Sequence, residues 1–333
     1  MDTRLTEKCD MLAENYLVAR SSAKLDFEQA AALGALLYTA ENVQANEQNI
    51  RENRALLKSK VGVLNNLRGY ANLSLLCKMA MKDDPGAYID NVLDAYECLK
   101  KRKVIHTEYE ALTASCMADL TEPDQYQAVA DQAWDIIDKM RASHPLLTGR
   151  EDITIATLLV ISGLDIDATL TEAEECYHYL KGEHFKLAKD ALQSISMVLA
   201  LSDKPVQEKC ERFIALRSAL KDAGSRVYAE QLPVIAALVD SDSPIEEIVY
   251  QIHEADEYLK TKKGFHGILG LGAQMRRLMS AALLLQTYDE KKVSTATATT
   301  NALASVLVET VIITIVMIII MTTAIVMANH ANN

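Results

Sequence analysis

Residues 243–260 read SPIEEIVYQIHEADEYLK, and this stretch decides the fold class. Ile245, Ile248, Val249, Ile252, Ala255, Tyr258 and Leu259 recur at three- and four-residue spacings with charges opposite, which is the period of an amphipathic helix. Ser243 with Glu246 has capping-box spacing, and Pro244 falls at the first helical position, where its missing N–H costs nothing. Such a helix has one face to bury. The apolar runs at residues 228–239 and 268–285 on either side supply partners.

The same punctuation recurs upstream at Asp84-Pro85, Glu122-Pro123, residues 165–169 and residues 203–205. Pro85, Pro123, Pro205 and Pro244 are separated by 38, 82 and 39 residues, and the turn around Asp167 halves the long step. Thr169 and Glu172 repeat the capping-box spacing. Tyr96-Glu-Cys-Leu-Lys100, Tyr177-His-Tyr-Leu-Lys181 and Asp256-Glu-Tyr-Leu-Lys260 close three of the amphipathic segments. Leu99, Leu180 and Leu259 stand 81 and 79 residues apart, about twice the shorter step. Apolar partners at residues 73–82, 109–120, 152–164 and 187–201 complete the alternation. The period is that of one αα-hairpin, and the expected fold is all-α, a solenoid-like array of tandem hairpins.

Before the array, residues 5–42 read as two helices broken near 24–27, residues 46–60 as a weakly amphipathic helix, and residues 61–67 as an apolar stretch ending at Arg68-Gly69. The organisation expected is N-terminal helices over 1–62, a hairpin-repeat domain over 63–290, a Ser/Thr/Ala linker over 291–301, an apolar helix over 302–328 and a polar tail over 329–333. The loop holding Pro145 and Gly149 is the best candidate for a break inside the array.

Of 333 residues half are apolar, and only 6 are Pro and 12 Gly, a composition of long helices with a large core. The formal charge of -12 is dispersed and offers no basic face, which argues against nucleic acid as a partner. Cys9, Cys77, Cys98, Cys116, Cys176 and Cys210 are widely spaced and form no Cys-x-x-Cys pair, so they read as reduced, buried thiols in a cytosolic compartment. Residues 1–8 are polar and lack the apolar core of a secretory signal.

Membrane attachment, if present, comes from the other end. Within residues 302–328 the one charge is Glu309, and the nineteen residues from Thr310 through Ala328 carry none. At about 1.5 Å per residue that run nearly matches the roughly 30 Å hydrocarbon core. Lys291 and Lys292 precede it and no Lys or Arg follows, a bias that keeps the large domain cytoplasmic. Ile, Val and Met surround the helix without a polar stripe, which favours a transmembrane tail anchor. The absence of flanking Trp or Tyr and the presence of Glu309 favour a helix buried in the fold instead.

Three local patterns bear on chemistry. Glu175 and His178 have the Glu-x-x-His spacing of di-iron bundles, and His184 could join them on a metal, but such bundles need two copies and a solvated histidine pair is the simpler account. Gly264, Gly267, Gly270 and Gly272 precede Arg276 and Arg277, a setting for an anion at a helix start or for close helix packing. Ser21 and Lys24 match a bare Ser-x-x-Lys spacing without its companion motifs. Trp134, His253 and Tyr258 read as packing or capping residues. No catalytic residue and no cofactor is expected.

The arrangement of Val63-Leu-Asn-Asn-Leu-Arg68, residues 76–85, residues 96–106, Tyr258-Leu-Lys260 and Gly264-Phe-His266 resembles an uncharacterised bacterial family, domain of unknown function 4003, over residues 5–285. The resemblance implies no activity and no catalytic residues, and it implies a milder Ala-rich tail than the Ile/Val-rich segment here. The expected function is therefore a non-enzymatic helical-repeat scaffold that binds protein partners and is tail-anchored at the cytoplasmic face of the membrane. The alternatives are a soluble cytoplasmic protein that buries its C-terminal helix, and a metal-dependent enzyme.

Overall fold

The structure, a computed structural model, describes residues 1–23, 28–69, 72–102, 106–143, 152–182, 189–225, 227–267 and 270–295. Among these there are helices and no strands. The helices are α1 (Thr3–Ser22), α2 (Glu28–Ala40), α3 (Glu47–Lys60), α4 (Asn72–Ala80), α5 (Pro85–Lys100), α6 (Glu108–Leu120), α7 (Tyr126–Ser143), α8 (Asp152–Ser162), α9 (Ile166–Gly182), α10 (Lys189–Leu199), α11 (Val206–Asp222), α12 (Leu232–Ala237), α13 (Ile245–Lys260) and α14 (Ala273–Thr295).

The chain divides into two compact units, one holding residues 1–10 and α9 to α14, the other residues 11–163. The division falls between α8 and α9, whereas the break expected at the Pro145/Gly149 loop lies outside the described residues. In the second unit α5 pairs with α6 and α7 with α8 as hairpins, while α5 also packs on α7 and α6 on α8. In the first, α9 pairs with α10 and α13 with α14, and the lateral contacts are α9 with α11, α11 with α13, α10 with α12 and α12 with α14. Every second helix is thus a neighbour, the arrangement that hairpin repeats produce.

Burial follows the sequence pattern. In α13, Ile248, Ile252, Ala255 and Leu259 are buried while Ile245 and Val249 are half-buried. Each large side chain of this stripe contributes about 1.5–3 kcal/mol by leaving water. The partner helices are apolar nearly all round: in α8 every residue from Asp152 to Leu159 is buried, and Thr154 spends its hydroxyl on Thr113 of α6 at 2.8 Å. A buried hydroxyl pair of this kind avoids the cost of an unsatisfied polar group.

Several local expectations are corrected. Pro85 occupies the first turn of α5 with Asp84 capping Ala87 N at 2.9 Å, but Pro205 and Pro244 are themselves the cap residues of α11 and α13 and no side chain caps either helix. Ser243 forms no capping box; its carbonyl instead accepts from the Arg212 guanidinium at 2.6 Å. Thr169 lies inside α9 and donates to Asp165 O at 2.8 Å, so Asp165, which also accepts from Ala168 N, starts that helix. A complete capping box stands at the head of α6, formed by Thr107 and Glu110. Of the apolar stretch 61–67, Val61 and Leu67 are buried while Val63 and Leu64 are exposed. Helix α14 runs through Ser294 and Thr295 into the expected linker.

Candidate functional site

The sequence-derived candidates separate on the structure. Glu175 and His178 are both exposed on α9, and His178 Nε2 pairs with Glu174 at 2.9 Å rather than with Glu175. His184, Lys24, and the transmembrane candidate Thr310 to Ala328 lie outside the described residues. Among the described residues no group of three or more His, Cys, Asp or Glu side chains is placed to hold a metal.

Gly264, Gly267, Gly270 and Gly272 lie outside the helices, before α14 begins at Ala273, not in a helix–helix contact. Gly264 and Gly267 have φ of 88° and 81°, a region that side chains disfavour, and a Cβ on Gly270 would overlap the backbone of His266. The turn closes through Leu271 N donating to Gly264 O at 2.8 Å. Arg276, expected as an anion ligand, is buried and already engaged: Nε donates to Asp256 Oδ1 at 2.6 Å and Nη1 to Phe265 O at 3.2 Å. Arg277 Nε lies 3.4 Å from the other Asp256 oxygen. The guanidinium groups therefore clamp the loop and α13 to α14.

Trp134 and Tyr258 behave as packing and capping residues. Trp134 Nε1 donates to Leu99 O at 3.0 Å. The Tyr258 hydroxyl donates to Asp10 at 2.9 Å and accepts from Lys262, whose ammonium lies 2.5 Å from Asp10 and 4.2 Å from the Tyr258 ring centroid. Beside them burial, and secondarily the Asp10 charge, pushes the Cys9 thiol up to about 12. His253 is exposed.

Two further polar clusters were not singled out from the sequence. In the second unit Lys78 of α4 donates to Asp119 of α6 at 2.7 Å, and Lys82 reaches the other Asp119 oxygen at 2.9 Å. Burial alone raises a carboxyl, but the two ammonium groups outweigh it and hold Asp119 below its ordinary value. Burial likewise opposes the charge of Lys78, and Asp119 overcomes it. Tyr88 and Cys116, packed against this pair, are raised by burial. In the first unit Lys209 of α11, with no exposed surface, donates to the Glu172 carboxylate of α9 and to Ser202 O at 2.9 Å. A lysine inside an apolar run, as Lys78 is between Cys77 and Met79, is the sequence signal that could have flagged such a cluster, since a buried ammonium demands a counterion.

Each of these clusters ties two or three helices together, and each charged centre is saturated by groups of the chain itself. Among the described residues the chain is all-helical, and its Lys78–Asp119, Lys209–Glu172 and Arg276–Asp256 pairs each join neighbouring helices. It belongs to the family described as a protein of unknown function (DUF4003), whose model matches residues 15–324. No curated protein and no solved structure matches the chain.

Proposed function

We propose that the protein is a non-enzymatic helical-repeat scaffold, held at the cytoplasmic face of a membrane by its C-terminal segment, whose stacked hairpins present a surface to protein partners. The observation that carries the reading is the pairing of a repeat array with the charge-free run 310–328 preceded by Lys291 and Lys292. Two parts of one chain then have separate tasks. Among the described residues no helix is long and apolar enough to cross a membrane. The internal saturation of the Asp119, Lys209 and Asp256 clusters supports a structural use of the charges that a catalyst would leave available to substrate.

Glu309 and the lack of flanking aromatic residues favour the competing reading, a helix buried in the fold of a soluble protein. Fractionation of the full chain and of a chain ending at residue 300 separates the two. Membrane recovery of the full chain that resists carbonate and yields to detergent, with a folded, detergent-independent truncation, is expected. A full chain that stays in the soluble fraction together with an aggregating truncation sinks the anchor and makes the segment core.

A further inference from the structure

Helices α9 and α11 occupy equivalent places in successive hairpins and pack side by side. Their seam is tied at two points: Lys209 donates to Glu172, and the Tyr179 hydroxyl donates to Glu211 at 3.1 Å. Between these two ties lie Cys176 of α9 and Cys210 of α11, both free thiols with no exposed surface and each close enough to shift the other's ionisation. The two thiols act on each other, Cys176 being held below and Cys210 above the ordinary thiol value, and the Lys209 ammonium beside them favours negative charge on both while Glu172 and Glu175 oppose it at Cys176. Elsewhere in the chain burial raises Cys9, Cys98 and Cys116, so Cys176 stands apart from them in being lowered.

We propose that Cys176 and Cys210 are a redox-sensitive pair that closes to a disulfide joining α9 to α11 when the chain meets a low-molecular-weight disulfide. Thiolate character beside a cation makes Cys176 the attacking sulfur. It displaces one thiol from the small disulfide and forms a mixed disulfide. Cys210 then gives up its proton and attacks the Cys176 sulfur, expelling the second small thiol. Two protein thiols are oxidised to one disulfide while one small disulfide is reduced to two thiols, so atoms and electrons balance. Thiols set between two ties on adjacent packed helices are placed for a bridge that joins those helices without displacing any other element. Because neither sulfur is exposed, the reaction proceeds through local opening of the helix pair.

The test uses the full chain, in detergent if it requires it, incubated with oxidised glutathione, quenched in acid, alkylated and mapped by mass spectrometry. The expected product has lost the mass of two hydrogen atoms, contains a cross-linked peptide pair carrying Cys176 and Cys210, and reverts with dithiothreitol. The Cys210→Ala chain should stall with glutathione on Cys176. A map in which Cys176 and Cys210 stay fully alkylatable while other cysteines react, or in which either pairs with a different cysteine, overturns the proposal. Should Cys210→Ala fail to fold, the map of the unaltered chain decides alone.

Discussion

At the scale of single residues, the interior charges show what the sequence withholds. Tyr96 and Tyr177 are buried at equivalent places in two repeats, each with a lysine over its ring, Lys100 at 5.1 Å and Lys181 at 5.7 Å from the centroids. The third copy puts Asp256 in that place. Its burial was not predictable from an acidic residue in an amphipathic helix, because the counterion Arg276 comes from another element across a glycine-rich loop. The Asp119 cluster permits a direct check. A carboxyl held below its unfolded value adds stability above that value, and the contribution is lost as pH falls through the lower folded value. Asp119 should therefore weaken the fold as pH drops below its ordinary 3.8. Asp119→Asn is expected to be less stable at neutral pH, since Lys78 is left buried without its counterion, and to lose less further stability between neutral pH and pH 3. Urea midpoints across that range would show the two curves converging. Curves that stay parallel would remove the carboxylate from the acid response.

At the scale of elements, the sequence period was legible because hydrophobic spacing and Pro placement act locally. The five amphipathic segments and their apolar partners fall where the pattern placed them. Cap identity was less legible, because the same Ser/Thr to Glu spacing is satisfied or idle according to the backbone one residue away. Thr107→Ala removes the partner of Glu110 and of Tyr109 N and should cost about 1 kcal/mol, whereas Ser243→Ala should change stability by only a few tenths, the range of a residue without a capping role. Denaturant unfolding of the two variants compares them. An equal loss from both would contradict the cap assignment. Close approach is a second property that periodicity does not report. A Cβ on Gly34 of α2 would sit 2.7 Å from Cys77 Sγ of α4. Gly34→Ala gains about 1 kcal/mol of helix propensity but meets an overpacking cost of about 1–3 kcal/mol. The net effect is expected to be destabilising and to turn neutral or stabilising when Cys77→Ala is made as well. A double-mutant cycle reads the coupling, and additive effects would mean that the sulfur is not what limits the approach.

At the scale of the whole molecule, the membrane and burial readings part over the segment 310–328 and over what a single charge does there. A lysine at the centre of a membrane-spanning helix costs about 2.5–3.5 kcal/mol on insertion scales, enough to shift a barely sufficient nineteen-residue span out of the bilayer. The same lysine in a buried protein helix would instead damage the fold of whatever packs around it. Ile319→Lys, at the midpoint of the run, therefore gives different outcomes for the two readings. Under the anchor reading the variant moves to the soluble fraction with the helical signal and thermal transition of the chain truncated at residue 300, because the array does not depend on the segment. Under the burial reading the unaltered chain is already soluble and the variant loses its cooperative transition. Circular dichroism of the fractionated variant distinguishes the cases, and a soluble variant with a lowered, broadened transition would transfer the C-terminal segment from the membrane to the core.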